Sequence, residues 1–205
     1  MVNTNSPFGF RPLGIYGAAQ PTMQLDTGKV AATVPNALFR GDLLCRLSTG
    51  YLDKYPVGGA GGTAGVSSIA GIFWGAKYLS SAFGRTIVQQ FLPTTDPVGE
   101  TVVYYIPCNN FPSPLLAVQV AGAAVGFGSI GMNVEVNVGG GGSVKGTYGL
   151  SSYTVSSTPA VTTTLPFRIV GLLSDYYPAG TPGTDNLSAN NIVVVSSNLS
   201  QLTGY

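Results

Sequence analysis

Val134, Val136 and Val138 alternate with Asn133, Glu135 and Asn137. That period of two predicts a strand with one buried face. Runs rich in Val, Ile, Tyr, Phe and Thr predict further strands at 29–34, 43–47, 69–74, 86–91, 101–106, 115–120, 152–155, 167–173 and 192–196. Turn material separates them: Thr49-Gly50, the glycine-rich run 58–62, Asp96-Pro97, 139–142 and 178–183. The nearest approach to a helical period, over 76–90, is interrupted by Gly84 and the β-formers Thr86, Ile87 and Val88. About ten short strands at this spacing predict an all-β fold, an antiparallel β-barrel or β-sandwich.

The first two dozen residues break that rhythm. Pro7, Pro12 and Pro21 restrict the backbone, and Gly9, Gly14 and Gly17 interrupt any helix. Phe8, Phe10, Leu13, Ile15 and Tyr16 are apolar without a period. Such a segment builds no core of its own, so 1–25 reads as an extended N-terminal arm that docks in a groove, on its own domain or on a neighbour. Residues 26–205 form the β domain. Proline and glycine cluster within about 107–150, where a small subdomain is a second way to divide the chain.

Charge narrows the function. Only 8% of the 205 residues are charged, against about 25% in ordinary soluble domains. There is no histidine, and 101–134 contains no charged side chain. The usual general base and metal ligand is therefore missing, and no cofactor or metal site is expected. Nine scattered cations against eight acids offer nothing that would neutralise a phosphate backbone, so nucleic acid is not an expected partner. Four lysines are too few to guard the edges of ten strands, so edges are expected to be closed in a barrel or covered by partners. The charge-free run is the expected covered region. Prolines and glycines break it too often for a membrane span, and the polar N-terminus does not read as a signal peptide. Cys45 and Cys108, 63 residues apart in sequence, read as buried thiols in a reducing compartment.

Several motifs have the letters of a site without its context. Gly126-Phe-Gly-Ser-Ile-Gly131 matches a dinucleotide loop, but a strand follows it and no acid occurs between Glu135 and Asp175. The run 139–145 lacks the order of a phosphate loop, and a Ser143–Lys145 dyad has no supporting context. Arg40-Gly41-Asp42 reads as the opening of a strand in which Arg40 and Asp42 pair, rather than as an adhesion signal. Asn186 and Asn198 match the glycosylation pattern, but without an export signal they are discounted. The acid pairs Asp96/Glu100 and Asp175/Asp185 lie in turns, where carboxylates are ordinarily solvated. The chain is therefore not expected to be an enzyme.

The most specific string is Asn3-Thr-Asn-Ser-Pro-Phe-Gly-Phe-Arg-Pro12. It resembles the N-terminus of a family of tailed-bacteriophage virion proteins proposed to be capsid decoration, or cement, proteins. Similar strings follow in the same order: Leu38-Phe-Arg-Gly-Asp-Leu43, Ile69-Ala-Gly-Ile-Phe-Trp-Gly75, Leu165-Pro-Phe-Arg-Ile-Val-Gly-Leu172 and Ile192-Val-Val-Val-Ser-Ser-Asn-Leu-Ser-Gln-Leu202. Family members often carry His in the last of these, where this chain has Ser200.

The resemblance implies a protein on the outside of the virion capsid, assembled in the bacterial cytoplasm. Its partners would be the major capsid protein and two further copies of itself in a homotrimer, with no nucleic acid or membrane. The expected partner contacts are Pro7, Phe8, Phe10, Arg11 and Pro12, with the two rings filling pockets and Arg11 meeting a carboxylate or carbonyl. Removal of residues 1–12 is expected to leave the domain folded. A second class of function is a tail- or fibre-associated β module that binds carbohydrate. Tyr176 and Tyr177 beside Asp175 would then present the aromatic faces, while Trp74 packs in the core.

Overall fold

A computed structural model describes residues 3–15, 24–33, 36–55, 69–108, 114–137 and 150–198. The glycine-rich runs 58–62 and 139–145, the Ser143–Lys145 pair, Tyr16 and Ser200 lie outside them. The described residues are all-β, with two short 3-10 turns at Phe127–Ser129 and Leu173–Asp175.

One sheet has six strands. Asp26–Val30 (β2), Pro97–Pro107 (β9), Gly71–Ser80 (β6), Leu43–Arg46 (β4) and Leu52–Lys54 (β5) follow one another in that order, and Thr86–Gln89 (β7) pairs with the far half of β6. The sheet curls until β2 and β5 touch, with Gly28 against Leu52, so it is almost a closed barrel. Leu44, Leu52, Phe73, Tyr78, Val103 and Tyr105 are among the side chains filling its interior. Polar links reinforce the closure. Glu100 of β9 accepts from Lys29 of β2 at 2.6 Å and from the Tyr51 hydroxyl just before β5. Tyr105 donates its hydroxyl to Asp26 and accepts from Arg46. Leu38–Phe39 (β3) and Phe91–Leu92 (β8) form a separate two-stranded pair.

The other sheet has seven strands, in the order Asn133–Val134 (β11), Phe167–Leu172 (β14), Ile192–Ser197 (β15), Pro114–Ala121 (β10), Thr154–Ser156 (β13) and Val136–Asn137 (β12). Arg11–Ile15 (β1) pairs with the first half of β10. This sheet is mixed rather than purely antiparallel, because β13 runs parallel to β10. Leu116, Val118, Val120, Phe167, Ile169, Val193 and Val195 face inward and meet Leu43, Cys45, Ile72, Ile106 and Cys108 from the barrel wall. Both sheets thus share one core. The segment 114–137 supplies β10, β11 and β12 to the larger sheet and its valines to that shared core.

Sequence and structure part where elements are short or bulged. The strand expected over 86–91 is two, and so is the one at Asn133 to Val138, broken at Glu135. β3 and β5, of two and three residues, were not expected, since no period is legible over so few positions. Inside the arm, 11–15 is a strand even with Pro12 and Gly14, which fit because the pairing with β10 shifts register between them.

Candidate functional site

The N-terminal segment lies on its own domain. Asn3 is buried; its amide nitrogen donates to the Asp185 and Ser188 carbonyls, and its oxygen accepts from Gly183 N–H. Gln119 is buried on the outer face of β10. Its oxygen accepts from Ser6 N–H, and its nitrogen donates to the Thr4 and Asn190 carbonyls. Phe8 and Leu13 pack on Ala117, Leu173 and Ile192. Both faces of β10 and β15 are therefore covered, which explains their near-continuous apolar runs.

Phe10 is 1% exposed and stacks on Phe167 with ring centroids 4.7 Å apart. Its ring fills a pocket in this chain, in place of the partner pocket expected for it. Phe8, Pro7 and Pro12 are half-buried, and Arg11 is exposed. The expectation that residues 1–12 can be removed without harm to the domain is revised accordingly.

Around Phe10 the resembling strings meet. Phe10 N–H donates to the Gly41 carbonyl, Gly41 N–H to the Phe73 carbonyl, and Phe73 N–H to the Asp42 carbonyl. Gly41, at φ 97°, leaves no space for a side chain between Phe8 and Phe10. Residues of the strings at 3–12, 38–43, 69–75 and 165–172 are thereby locked into one packed unit.

That unit presents two guanidinium groups backed by rings. Arg11 sits 4.6 Å over the Phe8 ring, and Arg40 sits 3.6 Å over the Trp74 ring while donating to Gln90. Burial and the nearby positive charge of Arg11 lower the Arg40 pKa. Two like charges held close, with planar forks propped by aromatics, suit capture of carboxylates or carbonyls on another molecule. Trp74 is half-buried rather than wholly in the core. The Arg40–Trp74 contact is not legible in the sequence, where Asp42 is the nearer partner for Arg40 and Trp74 sits in an apolar run.

Asp42 is 1% exposed; it pairs with Lys54 at 2.8 Å and accepts from Phe39 N–H at 2.9 Å. Gly41 and Asp42 of the Arg-Gly-Asp string are therefore architectural, and only Arg40 is presented outward. Three other acids hold turns. Asp96 accepts from Ser80, Ser81 and Ala82 N–H; Asp175 accepts from Leu172 N–H; Asp185 accepts from Leu187 N–H and Ser188. Hydrogen bonds hold the carboxyls of Asp96, Glu100 and Asp185 below their ordinary range, the opposite of what a general acid needs. Burial pushes the Cys45 and Cys108 thiols up to about 12, so both stay protonated and unreactive at neutral pH. Gly126 to Gly131 forms a 3-10 turn and loop, not the helix start that a dinucleotide site needs. Tyr176 and Tyr177 are exposed.

No family model matches this chain, and neither does any curated protein or solved structure compared with it.

Proposed function

We propose that this chain is a non-enzymatic virion protein of a tailed bacteriophage, which binds the outer surface of the major capsid protein shell and stabilises it as a homotrimer. The observation that carries the reading is the convergence of the resembling strings. Four segments far apart in sequence, each similar to a stretch of one cement-protein family, pack together around Phe10 and Gly41. Arg11 and Arg40 on that unit are the proposed shell contacts, with Pro7, Phe8 and Pro12 supporting them. Three linked copies would turn modest contacts into high occupancy. The near-neutral surface would let copies crowd without mutual repulsion.

The test is to mix purified protein with undecorated capsids and count bound copies after sedimentation. Saturable binding at many copies per particle is expected. The Arg11→Ala/Arg40→Ala double variant should bind at least about tenfold more weakly with little change in melting temperature. Absence of saturable binding would sink the proposal.

The exposure of Tyr176 and Tyr177, 48% and 45%, favours a second reading as a tail or fibre module that binds carbohydrate. Few copies per particle, together with glycan binding lost in Tyr176→Ala, would decide for it.

A further inference from the structure

Arg168 lies on the outer face of β14, and neighbouring strands place polar groups directly beside it. It pairs in register with Asn133 of β11 and with Ser196 of β15. Directly opposed residues project on the same face, about 5 Å apart. Arg168, Ser196 and Asn198 line a cleft of about 340 Å³ with Ile130, Gly131 and Val170. The Arg168 side chain is exposed, and its guanidinium lies beside Gly131, where a Cβ would reach ordinary contact with Nη2 at 3.6 Å.

Most cations of the described residues have a partner. Lys29, Arg40, Arg46 and Lys54 are engaged by carboxylate, amide, carbonyl or hydroxyl oxygens, and Arg11 and Arg85 stack on rings. Arg168 makes no hydrogen bond, ion pair or ring contact with another described residue, and neither does the Ser196 hydroxyl. Asn198 is held in place, donating its amide nitrogen to Asn133 Oδ1 at 2.7 Å and to the Leu165 carbonyl at 3.2 Å.

From this arrangement we infer that the cleft is a binding site for a single carboxylate group, held by the Arg168 fork with the Ser196 hydroxyl as a second donor. The volume, at the small end for ligand sites, fits a side-chain-sized group. One cation suits a monoanion better than a phosphate dianion. Backbone donors at the cleft are already engaged on the Gly131 side: Gly131 N–H is bonded to the Ile169 carbonyl, and Ile169 N–H to the Met132 carbonyl. The apolar edges contributed by Ile130 and Val170 suit the methylenes that carry an acidic side chain or a short organic acid. The site does not depend on the virion reading.

The experiment titrates the isotope-labelled full chain, at constant ionic strength, with three probes: the blocked peptide acetyl-Gly-Glu-Gly-amide, succinate and inorganic phosphate. Saturable shifts of the Arg168 side-chain N–H and the Ser196 amide are expected, with a midpoint on the order of 1–10 mM. Arg168→Gln should weaken binding at least about tenfold and Ser196→Ala about threefold, while Lys77→Gln should leave it unchanged. Tighter binding of the peptide points to another protein chain as the source of the carboxylate, and tighter binding of succinate to a free acid. The inference is overturned if neither carboxylate saturates, if Arg168→Gln binds as well as the unaltered chain, or if phosphate binds as tightly as both.

Discussion

Phe10 and Thr101 are both buried, with opposite consequences. Phe10 fills a pocket against Phe167, so Phe10→Ala leaves a cavity and should lower the unfolding free energy by about 3–5 kcal/mol, read by urea denaturation. The sequence marks the ring as one that fills a pocket, on its own domain or on a neighbour, without saying which. Its neighbours are aperiodic, and its ring partner lies in a strand far along the chain, so the aromatic was legible but its destination was not. Thr101 is fully buried, and its hydroxyl has no hydrogen-bond partner. Thr101→Val keeps the shape and removes an unpaired polar atom, so it should raise stability by about 1 kcal/mol. A loss of stability would mean that the hydroxyl is satisfied. Arg40 teaches a related lesson. Its neighbour Asp42 is the obvious partner by sequence distance, but the turn before β4 sends Asp42 inward to Lys54 and leaves Arg40 on Trp74.

Strands were legible where length and burial cooperate. β10, β14 and β15 appear nearly as their apolar runs predict, because each holds enough branched or aromatic residues to mark itself. β6 extends well past the expected 74, since the alternation is shifted by a bulge between Phe73 and Gly75. The barrel seam could not be read at all. It depends on curvature that brings β5 to β2, and on Glu100 bridging Lys29 and Tyr51. That bridge has a pH signature. Glu100, Asp96 and Asp185 have folded pKa values below their unfolded ones. Their contribution is therefore present above about pH 4 and lost as pH falls through the depressed values. Lys29 is shifted upward, mainly by its hydrogen bond to Glu100. Its contribution is present below about pH 10 and lost as pH rises through the raised value. Denaturant midpoints should form a plateau between these limits, and Glu100→Gln should soften both shoulders.

At the scale of the whole molecule, the decisive feature is the core shared between the barrel wall and the larger sheet. Cys45, Ile72 and Ile106 pack with Val118, Phe167 and Val195, so separating the two sheets would expose the apolar face that each contributes to the shared core. Unfolding should be a single transition, with Trp74 fluorescence and far-ultraviolet dichroism tracing the same curve. Two separated transitions would show independent units. The all-β class was legible because it follows from composition and period, whereas the way the sheets share a core depends on long-range pairing. The same long-range character governs the order of events during synthesis. Asn3 waits for partners 180 to 185 residues further along the chain, a delay of roughly 10–40 s at ~5–20 residues per second. During that interval the outer face of β10 and the rings of Phe8 and Phe10 lack their final cover. A nascent copy thus carries an open groove and a matching strap at the same moment as its neighbours on the same message, and crowded translation sets the two in competition.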